Sequence, residues 1–158
     1  MITKPFASPV ALAVSLGLAA CGGTSAAPST ARSHAGKAVR SRPTTLYTVA
    51  MTGAAETPPG APHGGGIAII AFHGASKVCF RFAHLHGFID ATVAHIHTGT
   101  VGHSGPVLVA LSSGPKLHHR GCLVISPAVS RAIWRRPSAY YVNVHSRRYP
   151  GGAVRAQL

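Results

Sequence analysis

The chain has 158 residues, enough for one domain with extensions. Eighteen glycines and twelve prolines favour short strands and turns over long helices, and a 46% hydrophobic content supplies a core. Fifteen Lys and Arg against two acids, Glu56 and Asp90, give a formal charge of +13. A carboxylate pair for glycoside hydrolysis would need those two acids to meet, and nothing in their placement brings them together.

The first elements concern export. Lys4 begins a short positive region, and Val10 to Ala20 is an apolar run too short for a typical membrane span. Leu18-Ala19-Ala20-Cys21 resembles the lipobox of bacterial lipoproteins. On that reading residues 1–20 are a signal peptide and Cys21 carries a lipid on the extracytoplasmic face of the membrane. Residues 21–44 are rich in Gly, Ser, Thr, Ala and Pro with no apolar period, as expected of a disordered tether. A lipid chain next to basic residues would give stable attachment.

The folded domain is expected over residues 45–158. Leu46–Met51 reads as a strand with Tyr47, Val49 and Met51 on one face. Residues 52–66 read as a long turn-rich loop. Strands follow at Ile67–Phe72 and at Lys77–Leu85, where Phe80 and Phe82 share a face. The next three are Ala91–His97, Val107–Leu111 and Gly121–Ile125. Ser126 then caps a helix with Pro127 at its first position, and Pro137 ends it. Tyr140–His145 alternates Tyr140, Val142 and Val144 with Tyr141, Asn143 and His145, and Ala153–Leu158 closes the chain. The pattern predicts an all-β, antiparallel Greek-key sandwich or barrel of about eight strands. One short helix precedes the penultimate strand. With Cys21 assigned to lipid, Cys79 and Cys122 remain as a disulfide pair in an oxidising compartment.

The central motif is Ala94-His95-Ile96-His97-Thr98-Gly99, followed by a Gly-rich loop and Gly105-Pro106-Val107. On a strand, residues two apart share a face, so His95 and His97 point the same way. His145 ends another strand, and the three form a candidate site for zinc or copper. The motif loosely resembles that of copper–zinc superoxide dismutase, although the bridging Asp of that enzyme has no counterpart here. His84 and His86 repeat the spacing at a strand end. No Gly-x-Ser-x-Gly elbow and no phosphate-binding Gly motif appears. The net charge is suited to anionic envelope polymers or lipid headgroups. Nucleic acid is disfavoured, because no basic helix or aromatic–basic platform accompanies the charge.

Three blocks stand in a characteristic order. They are Gly53-Ala54-Ala55-Glu56-Thr57-Pro58-Pro59, the His95-Ile96-His97 block with Gly105-Pro106-Val107, and Tyr141-Val142-Asn143-Val144-His145 with Pro150 to Leu158. Together they resemble the CHRD domain, named after chordin and also found in exported bacterial proteins. The resemblance implies an extracellular all-β module for binding or structure, with no defined reaction. The family's last block usually reads GGEIRGQL, and here Ala153 stands at its acidic position. Glu56, in the first block, is expected to pair with Arg155 or to reach the histidines from behind.

Overall fold

A computed structural model describes residues 44–158. The expected signal peptide, Cys21 and the tether up to residue 43 lie outside the described residues. Eight strands form one sheet: β1 (Thr44–Thr52), β2 (Gly65–His73), β3 (Lys77–His86), β4 (Ala91–Thr98), β5 (Val107–Ser112), β6 (Arg120–Val124), β7 (Tyr140–Ser146) and β8 (Val154–Gln157). Helix α1 spans Pro127–Arg135, between β6 and β7. Every strand and the helix fall where the sequence pattern places them, with strand ends shifted by at most two residues. Gly65 and Gly66 belong to β2 rather than to the loop before it, and residues 53–55 and 137–139 form short 3-10 turns.

The hydrogen-bonded order is β5-β4-β7-β8-β1-β2-β3-β6, and all neighbours are antiparallel. Its two edges, β5 and β6, are consecutive in sequence. Residues 113–119 join them and nearly close the sheet into a barrel. Across that seam Leu117 N donates to Ala91 O at 2.9 Å and Phe82 N to His119 O at 2.7 Å. Around the barrel β4, β5 and β6 are followed by β7, which returns beside β4, giving the expected Greek key.

The interior is apolar because each strand alternates. Ile70, Phe72, Phe80, Phe82, Ile96, Val142, Val144 and Val154 meet there. Helix α1 begins where Ser126 Oγ accepts from Val129 N at 3.2 Å. Its Ile133 is buried, and Trp134 packs edge-on against Phe72 at 6.2 Å. Cys79 and Cys122, opposite each other on β3 and β6, are disulfide-bonded. Closing a loop with a sequence separation of 43 stabilises by roughly 4 kcal/mol in the chain-entropy view.

Candidate functional site

Strands β4, β7 and β8 have two buried faces. One is the barrel interior, with Ala94, Ile96, Val142, Val144, Val154 and Ala156. The other carries His95, His97, Tyr141, Asn143, His145, Arg155 and Gln157. The register aligns these polar residues in rows. His95 lies opposite Asn143, which lies opposite Arg155, while His97 lies opposite Tyr141, which lies opposite Gln157. β4 is bulged against β5 beside both His95 and His97, which re-aims their rings.

Loops cover this outer face and take up most of its hydrogen bonds. Gly105 O accepts from His97 Nδ1 at 2.9 Å, and Pro150 O accepts from His145 Nδ1 at 2.8 Å. Arg155 Nη2 donates to Thr100 O and His103 O, and Gln157 Nε2 to Gly99 O. Ser104 Oγ donates to Thr57 O at 2.7 Å, joining the β4–β5 loop to the β1–β2 loop.

The three histidines converge. Their nearest ring nitrogens lie within 4.8 Å of one another, and His95 Nδ1 is 3.2 Å from His145 Nε2. The two carbonyl contacts assign the tautomers of His97 and His145: each carries its proton on Nδ1 and keeps a lone pair on Nε2. His97 Nε2 is buried with no partner. Backbone carbonyls thus perform the orienting role that carboxylates often take behind metal-bound imidazoles. Burial, and then the neighbouring His145 and His97, hold His95 down at about 4. Burial also lowers His145, against the contact with Pro150 O. Both rings are therefore neutral near pH 7, the form in which imidazole binds metals.

The other histidine pair is not so arranged. His84 adopts φ 52°, breaking the alternation, and His86 Nδ1 contacts His84 O at 2.9 Å. Among the described residues only His95, His97 and His145 form a group of three with metal-ligand character. Asp90 stands apart, in a cavity with Lys116, His119 and Arg147.

The model of the CHRD domain family matches residues 47–158. The chain belongs to the CHRD domain family. No curated protein and no solved structure matches it. The three sequence blocks that carry the CHRD pattern are the ones that build the outer layer. The first brings Glu56, the second His95, His97 and Gly105, and the third the polar residues of β7 and β8.

In this CHRD domain Glu56 and Arg155 are both buried, 6% and 2% exposed, and line one cavity. No hydrogen bond joins them. The Arg155 guanidinium turns to the loop carbonyls and lies 3.3 Å over the Tyr141 ring, which stacks on His97 at 4.8 Å. Glu56 turns toward the Asn143 amide and packs on Gly152. Burial pushes its carboxyl up to about 7, against the pull of Arg155 and Asn143. Asn143 Oδ1 lies 3.1 Å from His145 Nε2; on this tautomer both atoms carry lone pairs, so Asn143 stands between Glu56 and the histidines without a hydrogen bond to His145. Tyr141 and Gln157 were not expected at the site. The alternation on β7 places Tyr141 on this face, but only the register of β8 adds Gln157.

Proposed function

We propose that the chain is an exported, lipid-anchored binding module, attached through Cys21, whose binding centre is the histidine cluster of its CHRD domain. The observation that carries this reading is the convergence of His95, His97 and His145 with two ring orientations fixed by carbonyls. Three imidazole nitrogen donors and an open fourth position suit Zn²⁺ or Cu²⁺. Asn143 Oδ1 and a water are the available further donors. The basic surface favours anionic lipid headgroups or envelope polymers as the surroundings in which the module works.

A copper-based role like that of superoxide dismutase is the second reading, favoured by the open position of a three-histidine set. The distance of Asp90 from the cluster leaves it without a bridging acid and favours simple metal binding over it.

The test is metal content by elemental mass spectrometry on the full chain, with and without added Zn²⁺ or Cu²⁺. One equivalent is expected, lost in both His97→Ala and His145→Ala. No retained metal in the unmodified chain overturns the metal centre. Superoxide dismutation by the copper-loaded chain, absent from the variants, would select the second reading. For the anchor, Cys21→Ser should move the chain from the membrane fraction to the soluble extracytoplasmic fraction.

A further inference from the structure

The loop of residues 87–90 and the turn after β7 meet at one end of the barrel, where Arg147 N donates to Asp90 O at 3.2 Å. Two open hollows share them as walls. One, of about 350 Å³, is lined by Lys116, His119 and Arg147 together with the acid Asp90. The other, of about 390 Å³, is lined by Phe88, Ile89, Arg148 and Tyr149. Gly87 and Asp90 bracket the loop with φ of 77° and 54°. Phe88 packs on the core, while Ile89 is turned outward and is 77% exposed. Lys116, His119, Arg147 and Arg148 are exposed as well. An apolar tip flanked by cations is thus presented to solvent. Val124, 84% exposed, has Lys77 opposite it on β3, and a single apolar residue on a surface is ordinary.

That composition selects a partner. Lys116 and Arg147 against Asp90 leave one excess positive charge in the first hollow, which matches the single net charge of a headgroup such as phosphatidylglycerol. Ile89 and the Tyr149 ring suit the boundary between headgroups and acyl chains. A soluble anion would use the cations and leave Ile89 in water, whereas an anionic bilayer uses both. We infer that this end of the barrel docks on an anionic phospholipid surface, with Ile89 entering the boundary region and a lipid phosphate held by Lys116 and Arg147. The inference rests on the envelope location proposed above and names the face that meets the membrane. The direction of the strands permits it. Thr44 pairs with His73 at one end of β1, and the pairs Thr52–Gly65 and Gly65–His86 lie at the other end, next to this loop. The nine residues of β1 span about 30 Å, and the length of chain from Cys21 to Thr44 is up to about 75 Å. A chain anchored at Cys21 can therefore set this end down on the same membrane.

The experiment places an environment-sensitive fluorophore, nitrobenzoxadiazole, on Ile89→Cys in the full chain carrying Cys21→Ser. With Cys79 and Cys122 bonded, the introduced thiol is the one that reacts. Vesicles of equal parts phosphatidylglycerol and phosphatidylcholine are then added. The probe reports the surroundings of residue 89 itself, whatever else holds the chain to a vesicle. A blue shift is expected with these vesicles and none with pure phosphatidylcholine, and it should reverse at about 0.5 M salt. Each Lys or Arg near an anionic leaflet is worth about fivefold in binding. Lys116→Gln, Arg147→Gln and Arg148→Gln together should therefore raise the lipid concentration needed by about a hundredfold. All three side chains are exposed, so the fold tolerates the changes. The same label on Val124→Cys should stay silent. A silent probe at position 89, which would leave the basic rim to a soluble polyanion, overturns the inference. So does an equal shift on phosphatidylcholine or at position 124. Displacement by inorganic phosphate at constant ionic strength, which would make the hollow a site for the free anion, overturns it too. Since no chain in this test has Cys21, a failed lipid anchor leaves the result intact, and a silent probe leaves the anchor standing.

Discussion

The two faces of β4, β7 and β8 are both largely buried and chemically opposite. On the inner face Ile96, Val142 and Val144 are 0% exposed, and on the outer face Asn143 is 1%, Arg155 2% and Tyr141 3% exposed. The inner face gains free energy directly, at roughly 25 cal/mol per Å² of apolar surface removed from water. The outer face begins with a desolvation cost that its hydrogen bonds must offset. The loop of residues 99–106 and the β7–β8 turn supply those bonds with the carbonyls of Gly99, Thr100, His103, Gly105 and Pro150. Depth of burial therefore says little about what holds this domain together. The inner face holds the fold, and the outer face, bought at some cost in stability, holds chemistry.

Adjacent residues on β4 give the sharpest test of that contrast. Ile96→Ala should cost about 3–4 kcal/mol, the transfer loss plus a cavity. His95→Leu, one residue away, should cost under about 1 kcal/mol in the metal-free chain. His95 makes one side-chain hydrogen-bond contact, to His145 Nε2, and its burial already disfavours its charged form. Urea denaturation of both variants measures the difference. Equal losses would mean that the outer layer is as much a part of the core as the inner one.

The inner face was readable from the sequence because alternation and apolar type agree there. All eight strands followed from it, and Ser126 with Pro127 marked the helix. The outer face was readable only in part. His95 and His97 share a face by spacing alone, but His145 reaches them through the pairing of β4 with β7, a long-range register that no local pattern encodes. Tyr141 and Asn143 could only be assigned to the face opposite Val142 and Val144, since alternation reports sides of a strand and not what covers them. For Glu56 the first block left two readings, a pair with Arg155 or a place behind the histidines. Competing partners, the Tyr141 ring and the loop carbonyls for Arg155 and Asn143 for Glu56, direct the two away from each other.

The pH dependence of stability separates the two kinds of group within the outer layer. Glu56 is raised from an ordinary 4.5 to about 7, so between those values the folded chain holds a proton that the unfolded chain has released. Stability from this group is present at low pH and falls as pH rises to about 7, by roughly 3 kcal/mol. His95 is lowered from 6.5 to about 4 and works in the opposite sense, its contribution falling as pH drops through the same range. The two nearly cancel between pH 4.5 and 6.5 in the metal-free chain. Glu56→Gln removes one side of that balance. Its stability should rise with pH over this range, and near pH 8 it should exceed that of the unmodified chain. Parallel pH profiles for the two chains would show that Glu56 is solvated and ionised in the fold.

The smallest expected effect concerns how Glu56 is seated. Gly152 has φ 141°, and a Cβ there would fall inside contact distance of the Glu56 carboxyl. Gly152→Ala therefore combines backbone strain with a clash. A double-mutant cycle with Glu56→Ala separates them, because removing the carboxyl relieves the clash and leaves the strain. The coupling between the two changes should be about 1–2 kcal/mol, with Gly152→Ala less damaging once Glu56 is truncated. A coupling near zero would mean that Gly152 serves only its turn. A coupling of the expected size would tie the β7–β8 turn to the β1–β2 loop through one carboxylate. Then the Gly-Gly of the last CHRD block and the Glu of the first act as one unit, which fixes Asn143 beside His145.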